Sequence, residues 1–221
     1  MRSAAAKSRQ AQGDRSRQAI LEVAVHLASE EGLEGLTIGR LAAETKMSKS
    51  GLFAHFGSKE DLQLATIEAA RQIFIQKVIK PAFEAKQGLP RLRKLCETWF
   101  AYAHSQVFRG GCFFAAASAE FDSRPGRVRD RIAEIMKEWL AGLRRTIQEA
   151  QEAGQFDLKV DPTQLAFEIN ALEMGANWAF QLFGDKQAFV RAGSAVLERL
   201  RQYSISARSS SSAKSRRGRQ N

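Results

Sequence analysis

The sequence contains few of the residues that support disulfides, membrane insertion or secretion. Its 221 residues include two cysteines, Cys96 and Cys112, which are too few for a disulfide framework and lack the CxxC spacing of a metal site. No run of 18 apolar residues is present, so no membrane-spanning helix is expected. The charged N-terminus lacks the apolar stretch of a secretory signal. We therefore expect a protein of the reducing cytoplasm that has no membrane partner.

Residue patterns typical of enzymes are also missing. The sequence has no Gly-rich phosphate loop, no HExxH and no GxSxG. Its three histidines, His26, His55 and His104, fall in separate predicted helices and are not expected to meet. We accordingly expect no catalytic residue, no metal site and no cofactor. An enzyme or a pure scaffold is the alternative class of protein that the sequence leaves open.

Cys96 and Cys112 leave one regulatory hypothesis open. Two neighbouring thiols with lowered pKa values could sense oxidants. A lone cysteine in a helix is more often a small buried hydrophobe, which is the alternative for both positions.

The positive charge is concentrated at the two ends of the chain. The sequence has 34 Lys and Arg against 24 Asp and Glu, a formal net charge of +10. Residues 1–19 hold five basic residues and one acidic one, and residues 204–221 hold five basic residues and no acidic one. Because both ends lack apolar residues at core spacing, residues 1–13 and 204–221 are predicted to be disordered basic arms. Such arms attract polyanions, although they could serve only solubility or non-specific DNA binding.

The rest of the sequence predicts an all-α fold, because no stretch alternates apolar and polar residues with strand-like composition. The first helix is predicted to begin at Asp14 or Ser16 and to end at Gly32, a typical C-terminal cap. A long helix follows Ser58 and is predicted to end near residue 79, before Pro81. Further helices are predicted over about 90–107, 112–122, 125–154, 162–183 and 186–202.

Two short helices joined by a tight turn are predicted in residues 36–62, which read LTIGRLAAETKMSKSGLFAHFGSKEDL. Thr37 and Ser48 are the predicted N-caps, and residues 45–47 form the turn. Apolar side chains hold both helices inward and leave the outer face of the second helix polar. In a helix-turn-helix, this face enters the major groove of DNA. The residues predicted on it are Lys49, Ser50, Gly51, Phe53 and His55.

This segment resembles the DNA-binding domain of TetR-family transcriptional regulators. The matching positions are Leu36, Thr37, Leu41, Ala42, Met47, Ser48, Lys49, Leu52, Phe53, His55, Phe56 and the run Ser58–Leu62. Residues 110–130 are also similar to a segment of one branch of these regulators. The resemblance implies an N-terminal three-helix DNA-binding domain over residues 14–60 and a larger helical domain for ligand binding and dimerisation over residues 61–203. It also implies a sequence-specific regulator, a repressor that a small and largely apolar ligand releases from its operator.

The resemblance further implies roles for individual residues. It implies phosphate contacts by Thr37, His55 and Lys59, and major-groove contacts by Ser48, Lys49, Ser50 and Gly51. Two positions depart from the family: Phe53 replaces the usual Tyr and lacks its hydroxyl contact, and Lys46 replaces the usual Gly of the turn and adds a cation near the DNA backbone. Apart from the resemblance, Arg15 and Arg17 are best placed for an arm that enters the adjacent minor groove.

The last two predicted helices carry apolar stripes that are unusual for surface helices. The resemblance implies that they pair with their twofold mates in a four-helix bundle, so that a homodimer reads a palindromic operator. The alternative is that the stripes pack only inside one monomer. The predicted interface residues are Leu165, Ile169, Leu172, Ala176, Phe180, Phe189, Val196, Leu197 and Leu200.

The middle helices, about 58–154, hold most of the aromatic residues, and the resemblance implies a ligand pocket there. Its walls would suit an apolar, weakly charged effector of unknown identity, which would shift the spacing of two DNA-binding heads. Ordinary core packing is the alternative for each of these aromatic residues. The predicted wall residues are Phe74, Trp99, Phe100, Phe114, Met136, Trp139, Met174 and Trp178.

Overall fold

The computed structural model describes the chain from residue 4 to residue 205, with side chains described from residue 11 onward. Over this range the predicted all-α class is confirmed, because the only β pairing is one isolated bridge between Phe156 and Ser204. None of these helices is long and apolar enough to cross a membrane. The helices are α1 (Ala4–Glu31), α2 (Ile38–Thr45), α3 (Lys49–Phe56), α4 (Lys59–Phe74), α5 (Lys80–Phe83), α6 (Leu89–His104), α7 (Phe113–Phe121), α8 (Arg127–Glu152), α9 (Pro162–Phe183) and α10 (Gln187–Tyr203).

Side-chain caps begin several helices where the sequence predicts them. The side-chain oxygens of Thr37, Ser48 and Ser58 accept backbone N–H groups three residues further on, at 3.1, 3.1 and 3.0 Å, and so cap α2, α3 and α4. Asp161 caps α9 through the N–H of Thr163 at 2.8 Å. These predicted starts are confirmed because a cap needs only residues that are neighbours in sequence.

α1 is longer than predicted. It begins at Ala4, well before Asp14 and inside the predicted disordered arm, residues 1–13. The added segment is rich in Ala, Lys, Arg and Gln, which have high helix propensity, so the helix extends through it. The structure thus corrects the prediction of disorder from Ala4 onward, and residues 1–3 lie outside the described part.

The end of the described chain is tied to the turn after α8. The carbonyl oxygen of Tyr203 accepts the N–H of Asp157 at 2.9 Å, and the N–H of Ile205 donates to the carbonyl oxygen of Gln155 at 3.0 Å. Ile205, which the sequence assigns to the basic tail, therefore belongs to the helical domain. The rest of that predicted tail, residues 206–221, lies outside the described residues.

The helix that follows Ser58 does not end before Pro81. α4 passes through a π-helical turn, Ile75–Ile79, directly into α5. The N–H of Lys80 donates to the carbonyl oxygen of Ile75, five residues earlier, which widens the helix just before the proline ring. The predicted end was wrong because this wider turn accommodates a residue that lacks an N–H and crowds the preceding turn.

One continuous apolar core runs through the described helices. We call α1–α3 the head and α4–α10 the body. Within the body, α9 packs against α8 and α10, and α6 packs against α8, α9 and α10. α4 and α7 both contact α1, so these two helices connect the body to the head.

Candidate DNA-binding face and ligand cavity

The outward face of α3 carries the residues predicted to read DNA. Leu52 and Phe56 are buried within the head, and their burial fixes the rotation of α3 about its axis. The residues that this rotation leaves exposed or half-exposed are Lys49, Ser50, Gly51, Phe53 and His55. The structure therefore leaves all five predicted residues at least partly accessible to solvent.

The N-terminus of α3 combines a side-chain cap with a close backbone approach. Ser48 Oγ accepts the N–H of Gly51 at 3.1 Å and lies 3.2 Å from Ser50 Oγ. A Cβ atom at Gly51 would lie 3.1 Å from Ser48 Oγ, so a larger residue would crowd the cap. The helix dipole and the N–H groups of the first turn make such an end favourable for a phosphate.

Thr37 and Lys49 lie near each other although they belong to different helices. A Cβ atom built at Gly39 would lie 3.9 Å from Thr37 Oγ1 and 3.8 Å from Lys49 Nζ. The ammonium group of Lys49 thus reaches from α3 toward the capped start of α2. A flexible Lys in this position can bind a phosphate beside Thr37 or extend to a base edge.

Lys46 forms the turn between α2 and α3 in the left-handed conformation, with φ of 55° and ψ of 29°. Its N–H donates to the carbonyl oxygen of Ala42. A residue with a Cβ costs about 1 kcal/mol more than Gly in this conformation. The Lys46 side chain is exposed, so the turn presents a cation beside α3.

The other three basic residues predicted to contact DNA, Lys59, Arg15 and Arg17, are not placed as the sequence predicts. Lys59 Nζ lies 2.6 Å from Glu34 Oε1, and this hydrogen bond is the main cause of a lowered pKa of Glu34. The guanidinium of Arg17 lies 5.0 Å from the centre of the Phe56 ring. Arg15 and Arg17 both belong to α1 rather than to an extended arm. A phosphate bound by Lys59 would have to share its ammonium group with Glu34, and a minor-groove contact would have to come from α1 itself.

A carboxylate of the body holds the loop between α1 and α2. Glu120, in α7, accepts the N–H of Leu33 at Oε2 and the N–H of Glu34 at Oε1, both at 2.8 Å. Gly32 has a φ of 81°, and a Cβ atom there would lie 2.8 Å from Glu120 Oε1. We call this contact the Glu120 clamp. Sequence reasoning missed it, because a Glu in an amphipathic helix normally faces solvent.

The opposite end of α7 is also fixed. The N–H of Cys112 donates to Asn177 Oδ1 of α9 at 2.8 Å in a buried hydrogen bond. Just before α7, a Cβ atom at Gly110 would lie 1.6 Å from the carbonyl oxygen of Ser29 in α1, so only glycine fits. A path of direct contacts therefore runs from α9 through α7 to the head.

Replacing Glu120 by Ala should lower the free energy of unfolding by about 1–3 kcal/mol, because two backbone N–H groups lose their acceptor. Glu120→Gln keeps one acceptor oxygen and should lose less. Denaturant unfolding followed by circular dichroism measures both changes. Glu134→Ala, which removes an exposed ion pair with Arg131, is the control and should cost under about 1 kcal/mol. Equal losses for Glu120→Ala and Glu134→Ala would contradict the clamp.

A cavity of about 320 Å³ opens among α4, α6, α7, α8 and α9. Six of the eight predicted wall residues line it: Phe74, Trp99, Phe114, Met136, Trp139 and Met174. Phe100 and Trp178 do not. Phe100 is directed toward α10, where a Cβ atom at Gly193 would lie 3.9 Å from its ring. Trp178 is 58% exposed on α9 and packs against Phe183.

The cavity also has wall residues that sequence reasoning missed. Ile75, Ile79 and Phe83 come from the π-helical turn and from α5, which were expected to lie at or beyond the end of a helix. Charged residues stand among the lining as well, and Arg71 and Glu138 form an ion pair of 2.8 Å there. The local sequence does not indicate that Ile75, Ile79 and Phe83 line the cavity, because their position depends on the continuation of α4 through Pro81.

Glu173 is the unexpected group near the cavity. It is completely buried in α9, and both carboxyl oxygens lack a hydrogen-bond partner among the described residues. Burial raises the pKa of Glu173, and the indole N–H of Trp139 lowers it by a smaller amount without reaching hydrogen-bond geometry. The only sequence signal was an acidic residue inside the apolar stripe of α9. A protonated Glu173 is therefore expected at neutral pH.

The two cysteines do not meet the condition for oxidant sensing. Burial raises the pKa of the Cys112 thiol to about 11, and it raises the pKa of Cys96 as well. Both thiols are buried and remain protonated at neutral pH, whereas sensing requires an accessible thiolate. Their surroundings favour the alternative of small buried hydrophobes.

Replacing Glu173 by Gln should stabilise the protein more at pH 7 than at pH 4. The unfolded carboxyl ionises above its ordinary pKa of 4.5, whereas the buried one stays protonated. Stability is therefore lost as the pH rises above about 4.5, and Gln, which does not ionise, avoids this loss. We expect the difference between variant and parent to grow by at least about 1 kcal/mol between the two pH values.

Thermal unfolding at both pH values measures this difference. Glu152→Gln, at the exposed end of α8, is the control and should change stability little at either pH. A Glu173→Gln effect that is the same at pH 4 and pH 7 would show that the carboxyl is not protonated in the fold.

Most of the residues predicted for the dimer interface are buried within one chain. Leu172 and Phe180 are half-buried, and Leu197 is exposed. The completely covered ones are Leu165, Ile169, Ala176, Phe189, Val196 and Leu200. These six pack in the core of the protomer and cannot supply contact area to a partner, so their prediction is corrected. The spacing of the apolar residues indicates that this face is buried, but it does not show whether the same protomer or a partner covers it.

A second apolar face of α9 and α10 is exposed instead. On α9 its members are four or seven residues apart, as on one side of a helix. Its members, which we call the outer apolar face, are Phe167, Ala171, Trp178, Leu182, Val190 and Leu197. Exposed apolar patches of this kind mark interaction surfaces in soluble proteins.

The chain is similar to known regulators along most of its length. A family model described as bacterial regulatory proteins, tetR family, matches residues 20–66, and one described as tetracyclin repressor-like, C-terminal domain, matches residues 88–196. The HTH-type transcriptional repressor DhaR of Mycobacterium sp. strain GP1 is 25% identical over 162 residues, which are 72% of this chain and 79% of that protein.

Solved structures share the fold. A TetR transcriptional regulator from Chloroflexus aurantiacus superposes with a TM-score of 0.82 at 23% identity, over 87% of this chain and 98% of that one. AibR, solved in complex with isovaleryl coenzyme A and operator DNA, superposes with a TM-score of 0.65 at 23% identity, over 81% of this chain and 94% of that one.

A helix-turn-helix head on an all-α body with an apolar cavity defines a DNA-binding regulator that responds to a ligand. The two family models together match well over half of the sequence. The chain belongs to the TetR family of transcriptional regulators.

Proposed function

We propose that the chain is a repressor that binds a palindromic operator as a homodimer and leaves it when a ligand fills the cavity. The observation that carries the proposal is the outward face of α3, whose exposed residues follow a capped helix start. The names of two similar proteins support it: DhaR is described as a repressor, and the AibR structure contains both a ligand and operator DNA. Because the operator lies in the cytoplasm of a bacterium, that is the location we propose.

Within the head, we propose a division of roles. Lys49 reads a base edge, while Ser50 and Gly51 allow α3 to approach the groove closely. Thr37 and His55 bind phosphates on the two sides of α3, and Lys46 adds a cation at the turn. The hypothesis is supported by the solvent exposure of the α3 residues. We assign long-range attraction of DNA to Lys59, Arg15 and Arg17. Lys59 and Arg17 contact Glu34 and Phe56 within the chain, and both arginines belong to α1.

Lys49→Ala should weaken binding to the selected operator by about 10–100-fold, the value of one base contact. The operator is obtained by sequencing DNA that the purified protein selects from a random pool, and we expect a palindrome. Fluorescence anisotropy measures affinity for this site and for a random duplex. Lys137→Ala, on the exposed surface of α8, is the matched control. If Lys49→Ala binds the selected operator as tightly as the parent protein does, the role of α3 is contradicted. If the parent protein binds the operator and the random duplex equally, its binding is non-specific attraction by basic residues.

The outer apolar face supports dimerisation through α9 and α10. Phe167 and Trp178 are exposed on one side of α9, and Val190 is exposed on α10. Leaving this face in water is unfavourable, whereas pairing it with a second copy buries it. A twofold dimer also presents two α3 helices, which matches a palindromic site.

Trp178→Glu should shift the protein from dimer to monomer and raise the dissociation constant at least about 30-fold, because it puts a charge into the centre of the interface. Sedimentation velocity over a concentration series measures the change. Leu158→Glu replaces a residue that is 77% exposed in the turn after α8 and serves as the control. A dimer that survives Trp178→Glu, or one that Leu158→Glu disrupts equally, would argue against this face.

The proposed release mechanism is a shift between two dimer states. Cys112 and Phe114 of α7 line the cavity, and the Glu120 clamp connects the other end of α7 to the head. A ligand that moves the first turn of α7 therefore changes the position of the head. If the ligand prefers the state that does not fit the operator, it weakens DNA binding by the ratio of its affinities for the two states, typically about 1–3 kcal/mol.

A further inference from the structure

The buried carboxyl group of Glu173 has nothing in the described chain to balance it. Both of its oxygens are without a hydrogen-bond donor. Among the buried side chains of the described residues, no other is acidic or basic. Such groups are rare in folded proteins, because burial removes the hydration of the carboxyl and offers no partner in return. An unpaired buried carboxyl therefore calls for an explanation in terms of function.

The carboxyl group lies behind the wall of the cavity: Glu173 does not itself line it, but residues around Glu173 do. Its neighbour in sequence, Met174, lines the cavity, and so do Cys112 and Trp139. The Glu173 charge acts on the Cys112 thiol, and the Trp139 indole is close enough to influence the carboxyl. Trp139 Nε1 and the hydroxyl of Tyr102, beside Cys112, are also buried without a hydrogen-bond partner in the described chain. Three buried polar groups without a hydrogen-bond partner in the described chain, those of Glu173, Trp139 and Tyr102, therefore belong to the cavity wall or to residues next to it.

We propose that the cavity binds a protonated amine carried on an apolar body, with the Glu173 carboxylate as the counter-charge of the ammonium group. An ammonium group supplies both things that are missing, N–H donors for the carboxyl oxygens and a positive charge. The rings of Phe74, Trp99 and Phe114 line the same cavity, and aromatic faces attract cations. An anionic head group would instead meet a carboxyl without any basic neighbour in the buried wall.

The charged residues that line the cavity balance one another. Arg71 pairs with Glu138 at 2.8 Å, and Glu149 pairs with an arginine of α6 at 3.6 Å. With Arg145, the lining contains two arginines and two glutamates. Their fields largely cancel, so the buried carboxyl determines the preference for the sign of a ligand's charge.

Binding of a protonated amine is coupled to the release of one proton. The ligand keeps its own proton, while the Glu173 carboxyl becomes a carboxylate and passes its proton to the buffer. The neighbouring Cys96, Cys112 and Tyr102 stay neutral, because burial raises the pKa of each of them. The measured heat of binding should therefore depend on the ionisation enthalpy of the buffer.

Three eight-carbon probes that differ in their head group test the proposal on the full chain: octylamine, octanol and octanoate. Titration calorimetry at pH 7 in phosphate and in Tris gives the affinities and the proton count. We expect octylamine to bind at least about tenfold more tightly than the other two. Of the three probes, only octylamine should have a binding heat that differs between the two buffers, by the amount that corresponds to the release of about one proton. This comparison uses the unaltered protein and does not depend on the folding of a variant.

Glu173→Gln then identifies the responsible residue. It should reduce octylamine affinity at least about tenfold, abolish the proton release and leave octanol affinity unchanged. Glu134→Gln is the matched control, because it removes an exposed carboxylate of α8 that does not line the cavity. This control should preserve the preference for the amine.

Three results would overturn the proposal: octanoate binding as tightly as octylamine, an amine preference that survives Glu173→Gln, or no binding by any of the probes. The inference rests on the proposed function only in treating the cavity as the effector site. Operator binding is therefore measured in parallel, with and without octylamine. If octylamine binds through Glu173 but leaves DNA affinity unchanged, the amine site is supported and the proposed effector role fails.

Discussion

The carboxylate of Glu120 fixes α7 of the body to the loop between α1 and α2 of the head. It accepts the two N–H groups of Leu33 and Glu34, and the loop that presents them turns at Gly32, where a side chain would collide with it. α7 is only nine residues long, begins at the cavity and ends at this clamp. A short helix that is held at both ends transmits a displacement as a rigid element, because packed interiors yield little. No longer chain of contacts is needed to connect a ligand with the DNA-binding face.

The body combines an apolar cavity with a single buried acid. Apolar side chains, five of them aromatic, provide most of the wall, so any ligand that enters must bury apolar surface. Glu173 does not stabilise the protein without ligand. Its carboxyl has no hydrogen-bond partner in the described chain, and burial makes the ionised form unfavourable, so the protonated form is preferred. Its presence is understandable if it selects among ligands. Specificity of this kind arises from a polar group whose partner the ligand alone supplies.

The two C-terminal helices are apolar on more than one side, and this explains how their stripes could be misinterpreted. Residues such as Leu165 and Val196 complete the core of the protomer, whereas Trp178 and Leu182 lie on the opposite side in contact with solvent. A helix that is apolar nearly all around is normally covered on all sides. The proposed homodimer would cover the outer apolar face and would give two α3 helices twofold symmetry on DNA.

The sequence by itself determined what depends on residues close together in the chain: the all-α class, the capped starts at Thr37 and Ser48, and the helix-turn-helix with its outward residues. The resemblance to the TetR family also led to eight predicted cavity residues, six of which line the cavity. Only the tertiary structure decided that Phe100 is directed toward α10, that Trp178 faces solvent and that Glu173 is buried. The physical reason is that a cap is a hydrogen bond within one turn, whereas burial depends on which other helices cover each face.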